Sequence, residues 1–503
     1  MDTQTALKKQ NTVSKLTEIY LFVLLLGEPL VIWDGYFDVT EIKTAFFAVC
    51  TLVYLTARAV CALQFGRGEH APETSDVFSL VLCAIALLAS AGSGFFRLSL
   101  LGPAGRWQGA AMLWLYAGVF FALRDVPVRT GAVTVPLCAG LAVSAALACL
   151  DHLGFDPLGF GAALDEYSRG RYISTLGNIN FAGAYLSLAL PVCVHRLLLS
   201  ERRPAALALG GVCAVGLWAV MAVRSECAIL GLGAGLLLMP FVLGDRLEAL
   251  RRWCLLWPAA ALAAQLYRAA AVLCLAGFSS LTAALLRPTA AAAFALGGAG
   301  LYFLCRRAAS AAHFRRHYLA AGVLLLAGAA AALILLNTRY AAVDLGGWEV
   351  WLRFTDEWGT DRLRIWKYCL SIYREFPLFD KLLGGGCGVL AQTDALRRIF
   401  PDAVLDAAHC EYLQILLNWG ALGLLAYLGW LAAAMIRAGR SGRALPSALL
   451  AGLLAYAVQA AVNIAQAPGI VLFFPLLGAL RTSEASGFRQ NPALSQKIGR
   501  FVG

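Results

Sequence analysis

Long apolar runs separated by short polar breaks occupy almost the whole chain, and a single wide polar stretch interrupts them. A helix that crosses a membrane takes roughly 20 apolar residues. On that measure the pattern predicts helices near 17–33, 43–63, 76–96, 109–124, 130–150, 179–199, 205–223, 226–243, 254–278, 281–304, 318–336, 411–436, 445–465 and 468–482. The wide polar stretch begins at Asn337 and ends where the next apolar run starts at Glu411. Four parts follow: a membrane bundle over 1–336, the polar segment 337–410, further membrane helices over 411–482, and a tail over 483–503. The expected fold is an all-α polytopic membrane protein of about 12–14 spans, with short helices in one large loop.

Composition supports that class. Hydrophobic residues make up 60% and charged residues 14%, against about 25% charged in soluble chains. The mean hydropathy is +0.71. A net charge of +11 raises the question of nucleic acid, but the basic residues sit in short breaks between apolar runs, so no nucleic-acid partner is expected. Those breaks set an orientation through the excess of Lys and Arg on the cytoplasmic side. Alternate breaks carry Lys8, Lys9 and Lys15; Arg67; Arg124 and Arg129; Arg196, Arg202 and Arg203; and Arg246, Arg251 and Arg252. The series continues with Arg306, Arg307, Arg315 and Arg316, then Arg437, Arg440 and Arg443, and finally Arg489, Lys497 and Arg500. Both termini are therefore expected inside. The segments 34–42, 97–108, 151–178, 224–226 and 337–410 then fall outside, the last with nine Lys/Arg and ten Asp/Glu. Within 254–304, Arg268 and Arg287 fall mid-span, where an Arg costs about 2.5–3.5 kcal/mol on insertion scales. These two helices are expected to be short, kinked or turned inward.

The fourteen cysteines are scattered, mostly in apolar runs, and show no zinc or disulfide spacing. Met1–Lys15 is polar and basic, so no removable signal peptide is expected. Asp34 and Asp38 are too widely spaced for an Asp-x-Asp metal signature, and neither metal nor cofactor is expected.

Four outer patches could carry chemistry. His409-Cys410 is followed by nine residues and then Gly420-Ala421-Leu422-Gly423. At the membrane boundary His409 either caps a helix or takes a proton from a hydroxyl, and the two glycines equally suit close helix packing. Asp361-Arg362-Leu363-Arg364-Ile365-Trp366-Lys367 reads as the start of an amphipathic helix, with Arg forks suited to phosphate. Pro377 and Gly384-Gly385-Gly386-Cys387-Gly388 follow it. No phosphate-loop motif is present, so those glycines are not read as a nucleotide site. Arg169-Gly170-Arg171 leads through Gly177-Asn178-Ile179-Asn180 into a span, where Asn178 is a natural cap and Arg171 could meet an anionic headgroup. Gly105-Arg106-Trp107-Gln108-Gly109 opens another span, with Trp107 as an interfacial anchor.

Together these patches resemble the O-antigen ligase and polymerase family of bacterial membrane glycosyltransferases. Gly177-Asn178-Ile179-Asn180 is similar to that family's Gly-Asn-Pro-Asn, and Arg362 to Trp366 to its Arg-x-x-Ile-Trp. The run from His409 to Gly423 is similar to its terminal His and Gly-x-x-Gly signature. The chain differs in Ile179 for Pro, in Cys410 for an amide or hydroxyl, and in Glu226 where the family's Ser-Arg-Gly-Ala places Arg. Arg224 is the candidate substitute, although on a helix its direction would differ by about 100° per residue from its neighbour's.

The resemblance implies metal-independent, inverting transfer of a glycan from undecaprenyl diphosphate to a glycan, lipid or protein hydroxyl, at the outer face of the cytoplasmic membrane. It implies His409 as general base, and Arg362, Arg364, Arg171, Arg224, Arg106, Asn178 and Asn180 as substrate-binding residues. The competing expectation is a flippase for the same lipid-linked glycan, with Arg268, Arg287, Glu28 and Asn463 along its path.

Overall fold

The computed structural model describes residues 3–66, 71–166, 168–392 and 407–484. Arg67, residues 393–406 of the large polar segment, and Arg489, Lys497 and Arg500 of the predicted tail lie outside them. The chain runs through α1 (Thr3–Gly27), α2 (Val39–Phe65), α3 (Thr74–Gly92), α4 (Phe96–Leu101), α5 (Ala110–Ala122) and α6 (Thr130–His152). Next come α7 (Ile179–Leu198), α8 (Arg203–Ala222), α9 (Glu226–Val242), α10 (Leu247–Leu273), α11 (Ser280–Leu285), α12 (Pro288–Arg307) and α13 (Ala311–Asn337). The polar segment folds into α14 (Glu349–Leu352), α15 (Arg362–Glu375), α16 (Leu378–Leu383) and α17 (Val389–Gln392). The bundle closes with α18 (Glu411–Arg440), α19 (Ala444–Gln459) and α20 (Gly469–Ala479).

Among the described residues, ten of these helices are long and apolar enough to cross a membrane. The protein is mostly helical and multi-pass. Each predicted segment contains a helix, but α5, α9 and α20 are shorter apolar helices, and α1 carries Lys8, Lys9, Lys15 and Glu18. The two mid-span arginines find different resolutions. Arg287 is the N-cap of α12, with Pro288 at its first position, where proline's missing N–H costs nothing. Arg268 stays within α10 and donates to the Gln265 side chain at 3.3 Å.

The centre of the bundle is α7, whose most apolar window is 89% buried. Small residues let α9 and α19 approach it. A Cβ on Gly231 would lie 2.3 Å from Ser187 Oγ, and one on Gly452 would lie 2.0 Å from the Leu188 carbonyl, the close backbone approach that membrane helices use. At the periphery the opposite holds. No part of the apolar window of α13 is buried against protein, and Leu324, Leu325 and Leu326 are exposed. Such a band is unstable in water and suited to lipid.

The basic breaks meet one another at one end of the bundle. Lys9 donates to the Gly66 carbonyl at 2.6 Å, and Arg129 pairs with Glu18 at 2.5 Å. Arg252 reaches the Ser200 carbonyl at 2.8 Å, and Arg315 reaches Asp245 at 2.7 Å. Arg481, only 2% exposed, is paired with Asp76 at 2.7 Å, and Arg124 is paired with the same carboxylate at 2.8 Å. Arg437 pairs with Glu73. A buried guanidinium is tolerable only when paired in this way.

The polar segment docks at the opposite end through glycines. Gly385 N donates to the Leu417 carbonyl and Gly386 N to the Asn418 carbonyl, both at 3.0 Å, and Gly384 abuts the same turn of α18. Cys387 N donates to Ser99 Oγ of α4 at 2.8 Å. Ile365, Cys369 and Ile372 of α15 bury one face beside Leu417. The amphipathic pattern of Arg362–Glu375 thus clamps that helix over the start of α18.

Candidate functional site

Four separate stretches of the chain line one cavity of about 340 Å³ at the end of the bundle that carries the polar segment. Arg171, Asn178, Ile179 and Asn180 come from the link into α7, and Arg224, Ser225 and Glu226 from the α8–α9 turn. Thr360 and Arg362 come from the head of α15, and His409 from the segment before α18.

Local geometry explains how each side chain gets there. Residues Tyr172–Ile173 and Gly177–Asn178 pair as a two-rung antiparallel hairpin. The hairpin is pinned where Ser174 N donates to Asp151 at 2.6 Å and Thr175 Oγ1 donates to the Pro29 carbonyl at 2.7 Å. Arg171 stands at its base, with its carbonyl accepting from Ile179 N at 2.9 Å. The Asn178 side chain accepts from Asn180 N at 2.9 Å, so it caps α7 as well as lining the cavity. Asn180 acts as a strut: its side-chain oxygen accepts from Ser225 Oγ at 2.7 Å, and its carbonyl accepts from Asn463 Nδ2 at 2.9 Å.

Arg224 lies in a turn with φ of 51°, off any helix. The directional argument against it therefore falls away, and both Arg224 and Glu226 reach the cavity. Its Nη2 donates to the Gly170 carbonyl at 2.8 Å, leaving other guanidinium N–H groups for a ligand. A side chain at 170 would be strained and would displace the Arg224 guanidinium. A Cβ there would lie 2.1 Å from Arg224 Nη2, and φ is +79°. We expect Gly170→Ala to push Arg224 aside and weaken binding of a diphosphate anion to the protein in nanodiscs by roughly 3–10-fold. Gly154→Ala is the control, since it has φ of +87° with open space around it. An equal loss there would assign the effect to backbone strain.

Backbone strain concentrates at the cavity. Arg224, Thr360 and His409 have φ of 51°, 63° and 50°, a region that costs non-glycine residues of order 1–3 kcal/mol and gathers at functional sites. His409 is held by what flanks it: Ala408 N donates to Gln414 Oε1 at 2.8 Å, and Gln414 Nε2 donates to Asn418 at 3.0 Å. Three guanidinium groups face one carboxylate, Glu226, so the wall is net cationic. Burial raises the Cys410 thiol and pushes those of Cys369 and Cys387 up to about 12, so none of these offers a thiolate nucleophile near neutral pH.

Two predicted binding residues lie elsewhere. Arg364 faces Asp361 at 3.5 Å and Glu357 at 3.7 Å. Two residues along a helix point about 200° apart, so Arg362 and Arg364 cannot serve one cavity. Lys367 is likewise turned to Asp356, at 2.7 Å, which holds that carboxyl below its usual range. Arg106 lines a second cavity with Gln108, Glu411 and Gln466. Arg169 is spent on the Leu164 carbonyl, at 3.1 Å. Among the flippase candidates, Asn463 is buried and donates to the Asn180 carbonyl, and Glu28 is fully buried, with Lys43 donating to its carbonyl at 2.6 Å. Asp34 N donates to Asp38 Oδ1 at 3.3 Å in the link ahead of α2.

Thr360 went unread because nothing local marks it. Glu411 carried a usable signal, a carboxylate opening an apolar helix, which is expensive unless partnered. Compared with protein-family models and with curated proteins, the chain matches none.

Proposed function

We propose that the protein is a membrane glycosyltransferase. It moves a glycan from a polyprenyl diphosphate to a hydroxyl of a glycan, lipid or protein acceptor, at the outer face of the cytoplasmic membrane. The observation that carries this is the convergence of Arg171, Arg224 and Arg362 with His409 around one cavity. Arg forks suit phosphate oxygens, and an imidazole in reach of them suits removal of a hydroxyl proton. In this reading His409 takes the acceptor's proton as its oxygen bonds to the anomeric carbon. The bond from that carbon to the diphosphate breaks, and the departing charge falls among the three guanidiniums. The reaction inverts the anomeric centre and uses no metal ion, as the family resemblance implies.

A lipid carrier also needs an apolar berth. A groove of about 300 Å³ is lined by Val220, Met221, Ile229 and Leu232 of α8 and α9, together with α10 to α12. Met221 lies three residues before Arg224, so the groove begins about one helical turn from the cationic cavity. Membrane lipid and a polyprenyl tail would meet the protein on that flank.

The flippase reading gains less. It calls for ionisable residues strung along a path through the membrane, whereas Arg287 caps α12 and Arg268 is engaged by Gln265. The two readings separate in a purified system. With a glycan-bearing polyprenyl diphosphate and a saccharide acceptor in nanodiscs, we expect a new glycosidic bond by mass spectrometry. Arg362→Ala should lower the rate roughly 10- to 100-fold. Movement of the donor between leaflets with no new bond would defeat the enzyme and leave the carrier.

A further inference from the structure

A second cavity, of about 90 Å³, is lined by Ala407 and Glu411, two residues to either side of His409 in the chain. Ala407 and Ile464 line it, and both pack with Phe181, the residue after Asn180 of the cationic cavity. On the roughly 10–15 Å³ that each enclosed water needs, the second cavity holds the equivalent of about six to nine waters, which suits one ring and no more. Its lining is the opposite of the cationic cavity's. Tyr116 donates to Gln108 Oε1 at 2.7 Å, which leaves Gln108 Nε2 without a partner in the protein. Trp419 Nε1 and Gln466 Oε1 are likewise unpartnered, on residues 7% and 3% exposed. Glu411, 2% exposed, accepts from the hydroxyls of Tyr427 and Tyr456. Buried polar atoms with no partner are costly, and here donors and an acceptor gather around one small space with aromatic walls.

That combination fits a polyol with apolar faces. We propose that this cavity is a sugar subsite, binding one pyranose ring beside His409. Gln108 and Trp419 would donate to its hydroxyls, Gln466 and Glu411 would accept from them, and the Trp419, Tyr116 and Phe474 rings would cover its C–H faces. Arg106, assigned from sequence to the substrate, stands among the lining residues. The inference rests on the glycosyl-transfer reading and adds where the sugar next to the reacting centre sits.

The test uses the full-length protein in nanodiscs, titrated with free hexoses, N-acetylhexosamines and their methyl glycosides and read by saturation-transfer NMR. We expect at least one to bind. Gln466→Ala, and Trp419→Phe, which keeps a ring and removes the N–H, should each weaken it by roughly 3–10-fold. Arg362→Ala should leave it unchanged. The Gln466 and Trp419 variants must each still bind a sugar-free polyprenyl diphosphate as wild type does, which excludes misfolding; if Gln466→Ala does not fold, Trp419→Phe carries the test. Sugar binding unaffected by bare polyprenyl diphosphate but displaced by the acceptor glycan assigns the ring to the acceptor. Displacement by glycan-bearing lipid alone assigns it to the donor. Binding of the diphosphate lipid with no saccharide bound, or with affinity indifferent to both variants, overturns the subsite and spares the transferase. A saccharide bound with no diphosphate affinity does the reverse.

Discussion

Replacing His409 with alanine is expected to lower glycosyl transfer by roughly 10²- to 10⁴-fold, the span that positioned general bases contribute. The residue sits where the four stretches of the cavity meet, and its φ of 50° aims it there at a backbone cost. Alanine removes the imidazole while keeping that strained backbone, so His409→Asn is the sharper companion. Asparagine tolerates left-handed φ better than most residues, fills similar space and cannot act as a base near neutral pH. Both variants should lose turnover while binding the diphosphate lipid nearly as wild type does, because the arginines proposed to hold the phosphates come from other stretches. In cells lacking the native gene, the surface glycan should disappear at normal protein levels. Undiminished glycan, or a parallel loss of lipid binding and turnover, would assign His409 to structure.

Gly420→Ala is expected to cost the folded protein most. Gly420 has φ of 66° and ψ of −173° within α18, a region open in practice only to glycine, where other residues pay of order 1–3 kcal/mol. Space adds to strain. A Cβ there would lie 2.4 Å from the carbonyl carbon of Leu382 and 2.6 Å from Gly384 N, both backbone atoms that cannot swing aside. Relieving the clash means lifting the glycine segment off α18. The Gly385 and Gly386 hydrogen bonds to Leu417 and Asn418 would then be lost together. Ile365, Cys369 and Leu417 share one packed cluster, so Arg362 should shift with α15. Thermal unfolding in detergent should fall several degrees and activity with it. Gly322→Ala, on the exposed α13 with open space around it, should do neither. Equal melting of Gly420→Ala and wild type would mean that the kink is dispensable.

What proved legible was whatever depends on neighbours along the chain. Hydrophobic run length located the helices because a lipid-facing helix must be apolar over its own length, and α13 shows this with none of its apolar window buried. The start of α7 was readable for a similar reason, since Asn178 bonds only two residues away, whereas Arg287 and Pro288, read as mid-span, begin α12. The shorter helices α5, α9 and α20 fall below full span length, yet their apolar runs at 109–124, 226–243 and 468–482 marked them.

Candidate residues were legible by type and opaque by direction. Arg362 and Arg364 look equivalent in sequence, yet helix geometry sends one to the cavity and the other to Asp361 and Glu357. Arg224 reaches the cavity because a turn of positive φ replaces the helix that a local reading assumed. Arg106 and Glu411, three hundred residues apart, line one space that no local pattern announces. The sequence by itself determined a multi-pass helical membrane protein, because burying apolar length in lipid is a local energetic demand. Which arginines meet His409, and which polar side chains close the second cavity, only the tertiary structure decided, because those contacts depend on how helices distant in the chain pack against one another.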